Sequence, residues 1–130
     1  MGAAMNHRSR DTRARVRGRR AAMALTWDDL RARGMPCLRC RSIFPIVGPL
    51  SRQVRDRVLA RLRRDGIAEV IVLIRDGTGC SLVEAKGTSL HLVRKAGECH
   101  WCGEAIPRAE LVDCPGCSAL NIHLEAGPDP

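Results

Sequence analysis

The sequence predicts a small α+β protein in which a helical module precedes a compact ribbon held by paired cysteines, with a basic tail in front. Three observations support this fold class. Apolar residues recur at helical spacing in the middle of the chain, behind two serines that suit helix starts. Two C-x-x-C pairs stand close together near the C-terminus, and the first 22 residues almost lack large apolar side chains. The predicted organisation is a tail over 1–22, a segment with its own C-x-x-C pair over 23–50, the helical module over 51–97, the ribbon over 98–124 and a second tail over 125–130.

Length and composition limit the size of the core. The 130 residues allow one domain or two very small ones. Only three side chains are aromatic: Trp27, Phe44 and Trp101. Because small modules bury little apolar surface, a staple such as a metal ion is expected. Six of the seven cysteines form three C-x-x-C pairs and can supply it.

Basic charge is concentrated in the N-terminal tail. The first 20 residues hold seven arginines against one acidic residue, Asp11, which gives +6 of the net charge of +8. With so little apolar surface to offset the entropy of ordering, the tail is expected to be disordered. Three interpretations stay open: a dispensable extension, a mitochondrial presequence, or an arm that binds RNA or DNA. The candidate polyanion contacts are Arg13, Arg15, Arg17, Arg19 and Arg20.

Two helices are predicted before residue 67. Thr26 suits the N-cap of a short helical turn, and Ser51 suits that of a longer helix ending at Gly66 as its C′ residue. Between them, Pro45 interrupts the apolar stretch 43–47, which is therefore a loop or an edge strand. The apolar face of the longer helix consists of Val54, Val58, Leu59 and Leu62.

The segment 67–75 gives conflicting signals. Its β-branched content favours a strand, whereas its position between two helical stretches favours a short buried helix. A turn follows at 78–79, and Ser81 with Glu84 forms a capping box for a helix over about 82–95. The apolar positions of that helix are Leu82, Val83, Leu90 and Val93.

Residues 74–86 read Ile-Arg-Asp-Gly-Thr-Gly-Cys-Ser-Leu-Val-Glu-Ala-Lys. With the apolar stretch before it, this run resembles the C-terminal domain of the bacterial ribosomal stalk protein (L-seven/L-twelve), in which an apolar helix ending in Arg precedes a Thr-Gly turn and a Glu-Ala-Lys helix. The resemblance covers residues 66–95 and implies that 67–75 is a helix antiparallel to the next one. In such a hairpin, Val70, Leu73 and Ile74 are expected to pack against Leu82, Leu90 and Val93.

In the stalk family this helical pair presents basic residues to translation factors. Arg75 and Lys86 stand at matching positions, whereas Ile67 and Val72 are apolar where the family has two further basic residues. The resemblance therefore implies a hairpin reused for packing or for another protein partner, with Arg75 and Lys86 as the candidate partner surface. The alternative is that both side chains are solvated helix surface.

The C-terminal cysteines have the spacing of a metal site. Eleven residues separate Cys102 from Cys114, fewer than the commonest ribbon spacing of about 15–20. Zinc takes four soft ligands in a tetrahedron, and a C-x-x-C turn directs two sulfurs at one ion. The pattern resembles compact zinc ribbons, in which Cys-x-x-Cys-Gly is followed by a short hairpin and Cys-Pro-x-Cys. We predict one zinc ion held by Cys99, Cys102, Cys114 and Cys117.

Two features of this predicted site bear on its role. Gly103 supplies the small residue that usually follows a C-x-x-C turn, whereas Ser118 departs from that pattern. His100 and His123 are expected to be bystanders, because four cysteines already satisfy the ion. Four protein ligands leave no position for a reactive water, which argues against catalysis.

The pair Cys37 and Cys40 leaves several alternatives open. It could be half of a second zinc site completed by His91, by Cys80 or by another chain's pair. It could instead be a redox pair, although the βαβ context is missing, a competitor for the first zinc ion, or an unliganded pair. Cys80 stands where the stalk family has an apolar side chain and is expected to be a small core residue.

The cysteine pattern predicts a zinc-binding, non-enzymatic adaptor that binds a protein partner, and the stalk resemblance implies that it carries a stalk-like helical module with a connection to translation. The alternatives are a nucleic-acid-binding zinc protein that uses its arginine tail, and a thiol redox or metal-handling protein. Paired thiols without a signal-peptide core or a membrane-spanning run indicate the cytoplasm.

Overall fold

The computed structural model describes residues 24–40, 46–64 and 66–126. In this part of the chain, four helices and a three-stranded antiparallel sheet form the predicted small α+β fold. The arginine-rich tail and residues 127–130 lie outside it, as do residues 41–45. The elements are β1 (Ala24–Leu25), α1 (Trp27–Arg33), α2 (Arg52–Leu62), α3 (Ile67–Thr78), α4 (Leu82–Leu90), β2 (Leu111–Asp113), β3 (Leu120–Ile122) and a 3-10 turn (Leu124–Ala126).

Helices α1 and α2 begin where the sequence predicts. The Thr26 hydroxyl accepts the N–H of Asp29 at 3.0 Å, and the Asp29 carboxylate accepts the N–H of Thr26 at 2.9 Å. The Ser51 hydroxyl accepts the N–H of Val54 at 3.3 Å. These bonds satisfy backbone donors that have no partner within the first helical turn.

Gly66 does not end α2 as predicted. That helix ends at Leu62 with Arg63 as its C-cap, and Gly66 is instead the N-cap of α3. Its carbonyl accepts the N–H of Val70 at 2.9 Å, so its backbone belongs to the start of a helix. Its φ of −90° is not the left-handed conformation that favours glycine at a C′ position.

Residues 67–75 are helical, which confirms the prediction that rests on the stalk resemblance. Val70 and Ile74 are 0% exposed, whereas Val72 is 44% exposed. A strand would place these three side chains on one side, whereas a helix turns Val72 away from the other two. Packing against α2 and α4 thus overrides the local preference for a strand.

Helix α3 extends beyond the predicted end at residue 75 to Thr78. The Thr78 hydroxyl donates to the carbonyl of Ile74 at 2.6 Å. Gly79 has a φ of +75°, and its N–H donates to the carbonyl of Arg75 at 2.8 Å. The predicted turn at 78–79 is therefore the C-terminus of the helix itself.

Helix α4 begins as predicted. The Ser81 hydroxyl accepts the N–H of Glu84 at 3.1 Å, and the Glu84 carboxylate accepts the N–H of Ser81 at 2.9 Å. This is the capping box that the sequence indicates.

The predicted extension of this helix to residue 95 is wrong, because α4 ends at Leu90. Beyond it the chain runs beside β3. The N–H of Ile122 donates to the carbonyl of His91, and the N–H of Val93 donates to the carbonyl of Ile122, both at 2.9 Å. Pairing with the strand replaces the next turn of the helix.

The predicted packing of the hairpin is also partly wrong. Of the side chains expected to face α3, Val93 is 7% exposed and buried, but Leu82 and Leu90 are 45% and 59% exposed. Val83, another predicted apolar position, is 48% exposed. The buried residues of α4 are small instead: Ala85, Gly87, Thr88 and Ser89.

Strand β2 lies at the centre of the sheet. It pairs antiparallel with β3, where Val112 faces Asn121, and with β1, where Ala24 faces Val112. The sequence did not predict β1, which joins the N-terminal segment to the ribbon. The buried side chains of helices and sheet form one cluster, which includes Val58, Val70 and Leu111. Within the described residues, no helix combines the length and the apolar character needed to cross a membrane.

Candidate metal centre

The first C-terminal knuckle is a tight turn that begins at Cys99. The N–H of Gly103 donates to the carbonyl of Cys99 at 3.0 Å, and the N–H of Cys99 donates to the carbonyl of Glu104 at 2.9 Å. Gly103 has a φ of +81°, the left-handed conformation that glycine adopts at little cost. The small residue after the C-x-x-C turn thus has a backbone role.

The second knuckle repeats this geometry between β2 and β3. The N–H of Ser118 donates to the carbonyl of Cys114 at 2.8 Å, and the N–H of Cys114 donates to the carbonyl of Ala119 at 2.9 Å. Ser118 has a φ of +70° and is the one non-glycine residue with positive φ in the described chain. Because Ser118 replaces the usual glycine, the backbone at this position is strained.

The two knuckles bring four sulfurs together. Cys99 Sγ lies 3.6 Å from Cys117 Sγ, and Cys102 Sγ lies 3.7 Å from Cys114 Sγ. All four sulfurs lie within 4.8 Å of one another. Zinc–sulfur bonds of about 2.3 Å in a tetrahedron separate the sulfurs by about 3.8 Å, whereas a disulfide requires about 2.05 Å. We call this group the ribbon site, and its geometry suits zinc.

Cys99 is held by donors from the surrounding chain. Its sulfur accepts the N–H of Trp101 at 3.3 Å and the Asn121 side-chain N–H at 3.4 Å. Asn121 is 0% exposed, and its carbonyl oxygen accepts the N–H of His100 at 2.8 Å. The sequence analysis missed Asn121, because no local spacing relates it to the knuckle that it supports.

The acid–base properties of the ribbon thiols favour a cation. Burial acts to raise the pKa of Cys99, but hydrogen bonds from Cys102, Asn121 and Trp101 lower it to about 7. Burial raises the pKa of Cys114 to about 11, and burial and the Cys99 hydrogen bond raise the pKa of Cys117. One thiolate therefore forms readily while others resist ionisation. A doubly charged metal ion stabilises the thiolate forms, and its binding releases their protons. The affinity of the ribbon site for a metal ion should therefore rise with pH.

A second group consists of Cys37, Cys40 and His91, which we call the Cys37 site. One sulfur from each cysteine and one ring nitrogen all lie within 4.8 Å of one another. Cys40 Sγ lies 3.6 Å from His91 Nε2. Of the partners considered for the N-terminal pair, the structure brings His91 to it. This group could also hold a metal ion such as zinc.

The Cys37 site lies where the N-terminal segment meets the end of α4. Cys37 is 1% exposed, and its sulfur accepts the N–H groups of Cys40 and Leu120, both at 3.4 Å. Burial acts to raise the pKa of Cys37, but hydrogen bonds from His91 and these two amides lower it to about 6. Burial acts to lower the pKa of His91, but its contact with Cys37 and the Gly87 carbonyl raises it.

The two groups are neighbours. Leu120 donates its N–H to a sulfur of the Cys37 site, and the next residue, Asn121, donates to a sulfur of the ribbon site. The Arg39 guanidinium lies 5.2 Å from the ring centroid of Trp101, so the loops inside two C-x-x-C pairs are in contact.

Arg33 makes a further connection that the sequence did not indicate. Its guanidinium donates to both carboxylate oxygens of Asp113, at 2.6 and 3.3 Å, beside the second knuckle. It also donates to the carbonyls of Met35 and Pro36, at 3.0 and 2.7 Å, just before Cys37. One side chain thus connects the segment before each cysteine pair.

The remaining predicted residues lie outside both groups. His100 Nε2 donates to the Leu120 carbonyl at 2.8 Å, and His123 Nε2 accepts the N–H of Gly97 at 3.2 Å. Cys80 is half-buried against the core and 4.0 Å from the Ile74 carbonyl. The two candidate partner-surface residues, Arg75 and Lys86, are both exposed. The candidate polyanion contacts in the tail lie outside the described residues.

Comparison with known proteins gives no family: no family model, curated protein or solved structure matches the chain. The likeness to the ribosomal stalk therefore rests on the residues that carry it.

Proposed function

We propose that this chain is a zinc-stapled, non-enzymatic adaptor whose helix α4 binds a protein partner. The observation that carries the proposal is the burial pattern of α4, in which the large apolar side chains face outward. The ribbon site supplies the staple, because four thiolates around one zinc ion leave no open position for chemistry.

The outward face of α4 is a continuous stripe. Its positions fall within about 100° of the helix circumference, since successive residues turn by about 100°. The apolar members are 45–59% exposed. Exposed large apolar groups collected on one helix face are typical of interaction surfaces. We call this the α4 stripe; its members are Leu82, Val83, Lys86 and Leu90.

The opposite side of α4 is buried in the core. The Thr88 hydroxyl donates to the Glu84 carbonyl and accepts the N–H of Val47, both at 2.9 Å. The Ser89 hydroxyl donates to the Ala85 carbonyl at 2.8 Å. Turning the helix over would bury Lys86 and break the hydrogen bond from Val47, which is the one of these three that joins the helix to another part of the chain. The exposed stripe is therefore a property of the fold and not one of two equivalent packings.

The basic residues on and beside the α4 stripe indicate which charge a partner should have. Lys86 lies within the α4 stripe, and Arg75 is exposed on the adjoining helix. We infer that the occupant is an amphipathic protein helix that sets apolar side chains against Leu82 and Leu90 and an acidic side chain near Lys86. The stalk resemblance makes proteins of the translation apparatus the first candidates.

A selection experiment tests this proposal. The zinc-loaded chain is presented with a library of amphipathic helical peptides of mixed charge, and affinities are measured by fluorescence anisotropy. Enriched peptides should be apolar and acidic. Leu90→Ser should weaken them about tenfold or more, because burying a leucine contributes about 1.5–3 kcal/mol. Lys86→Glu should also weaken them.

Met35→Ser is the matched control, because Met35 is a 38% exposed apolar side chain outside the α4 stripe. It should leave the affinities unchanged. Enrichment of basic peptides, or equal binding by the wild type and Leu90→Ser, would contradict the proposal.

A second candidate function is RNA or DNA binding through the N-terminal arginines, favoured by the concentration of positive charge there. Neutralising about six phosphates gives a log–log salt slope near −5. Deleting residues 1–22 should abolish such binding and leave peptide binding by α4 intact. Nucleic-acid affinity that survives the deletion would exclude the tail as its source.

A further inference from the structure

The Cys37 site has the interatomic distances of a metal site. Zinc–sulfur bonds of about 2.3 Å and zinc–nitrogen bonds of about 2.0–2.1 Å in a tetrahedron place sulfur and nitrogen about 3.6 Å apart. The distance from Cys40 Sγ to His91 Nε2 is 3.6 Å. Two thiols and an imidazole around one point are donors that zinc prefers over the hard cations calcium and magnesium.

The His91 ring is fixed in the orientation that a ligand needs. Its Nδ1 lies 2.7 Å from the Gly87 carbonyl oxygen, which can only accept a hydrogen bond, so the Nδ1 atom carries the proton. Nε2 is then the atom directed at the sulfurs. Metal-binding histidines commonly donate their other ring N–H in this way, which fixes tautomer and direction. The residue is 4% exposed.

The ligands of this group come from two distant parts of the chain. His91 lies 51 positions after Cys40 and caps the C-terminal end of α4. An ion at this point would close a long loop and fasten the N-terminal segment onto the helix that carries the α4 stripe. Leu90 of that stripe is the residue immediately before His91.

We propose that Cys37, Cys40 and His91 form a second zinc site, filled independently of the ribbon site, which fastens residues 24–40 to the end of α4. This site goes beyond the proposed adaptor function and does not depend on it. The described residues supply three ligands here and four at the ribbon site. Each group contains one exposed cysteine, Cys40 here and Cys102 in the ribbon site, so the number of ligands is what distinguishes them. The second ion therefore exchanges faster than the first.

Native mass spectrometry of the full chain, loaded with zinc under reducing conditions, tests the proposal. The wild type should hold two ions and His91→Gln one. Cys80→Ser and His100→Gln are matched controls that should keep two. Cys80 lies outside both groups, and His100 contacts His91 edge-on at 5.5 Å between ring centroids without joining either group.

His91→Gln could lose the second ion simply because it lowers the stability of the protein, so His91→Cys is needed as a second variant. A thiolate can replace the imidazole as a zinc ligand. His91→Cys should therefore restore the second ion. In the cobalt-loaded protein it should also increase thiolate-to-metal absorption, since one more sulfur then binds the metal. A ligand role predicts both results, whereas a role in packing alone predicts neither.

Release kinetics test the exchange rate. With excess chelator, the wild type should lose its ions in a fast and a slow phase of equal size, and His91→Gln should show the slow phase alone. A single ion in the wild type, two ions in His91→Gln, or loss of the second ion in His100→Gln would overturn the proposal. Loss of the ribbon ion in Cys114→Ser with the second ion retained would separate the two sites.

Discussion

The ribbon and the helical hairpin of this protein share one apolar core but differ in what else can stabilise them. Strands β2 and β3 have three residues each, too few for independent stability, and they are joined through a turn that carries two cysteines of the ribbon site. In the hairpin, α3 buries large apolar side chains, such as Val70 and Ile74, and packs against α2 and α4. Both regions therefore contribute to one apolar core, with Leu111 and Leu120 from the strands, and the ribbon alone adds a four-cysteine group suited to zinc.

The largest expected effect comes from removing a ribbon ligand. Cys114→Ser should cost much of the folding free energy that a structural zinc ion supplies, on the order of 10 kcal/mol. Segment-resolved hydrogen exchange should show that amides over 99–122 lose protection while those of α3 keep theirs. Cys80→Ser is the control and should leave both regions protected. Equal loss of protection in α3 would show that ribbon and hairpin unfold as one unit.

The second effect concerns apolar packing in the hairpin. Ile74→Ala should lower the free energy of unfolding by about 2–5 kcal/mol, because it leaves a cavity at a fully buried position. Val72→Ala, on the exposed side of the same helix, should change it by less than about 0.5 kcal/mol. Urea unfolding at saturating zinc measures both. Similar costs at the two positions would contradict the helical arrangement of α3.

The contrast between the regions also decides what could be predicted from sequence. The ribbon cysteines were identifiable because the chemistry of one ion fixes their type and spacing within a short stretch. The capping residues Thr26, Ser51 and Ser81 were identifiable for the same reason, since a cap acts over three positions. Local chemistry with a fixed spacing can be read without knowing the fold.

Features that depend on distant contacts could not be predicted in this way. The spacing of Leu82 and Leu90 predicts an amphipathic helix but not which side faces the core, and the small residues Ala85, Thr88 and Ser89 fill the buried side instead. Helix periodicity alone cannot decide between a face of large apolar groups and a face of small ones. The end of α4 at Leu90 likewise depends on pairing with β3, which lies about thirty positions away.

Arg33 connects the two cysteine-containing segments and should show an intermediate effect. Its guanidinium and the Asp113 carboxylate are 22% and 23% exposed, and it donates to four acceptor atoms. Arg33→Gln should cost about 1.5–3 kcal/mol, because hydrogen bonds to charged groups in partly buried positions contribute that much. Thermal unfolding of the zinc-loaded chain measures the loss.

Arg31→Gln is the matched control for Arg33. Arg31 pairs with Asp28 on the surface of the same helix, where side-chain exposures are 64% and 88%. A surface pair of this kind contributes about 0–1 kcal/mol and weakens with salt. Equal costs for the two arginines would mean that Arg33 does not connect the segments energetically.

The smallest effect separates the two knuckles of the ribbon. Both residues that follow the second cysteine have left-handed backbone, with φ of +81° at Gly103 and +70° at Ser118. For a non-glycine residue the left-handed conformation costs about 1–2 kcal/mol relative to glycine. Glycine also makes the unfolded chain more flexible, which offsets part of that difference in the free energy of unfolding. Ser118→Gly should therefore stabilise the zinc-loaded protein by about 0.5–1 kcal/mol. Gly103→Ser should destabilise it by a similar amount, since no neighbouring heavy atom lies within 4 Å of an added Cβ there. Opposite signs, measured as shifts in the midpoint of urea unfolding, would assign the effect to backbone conformation. A loss of stability in both variants would instead show that the Ser118 side chain stabilises its knuckle by more than the strain that its backbone carries.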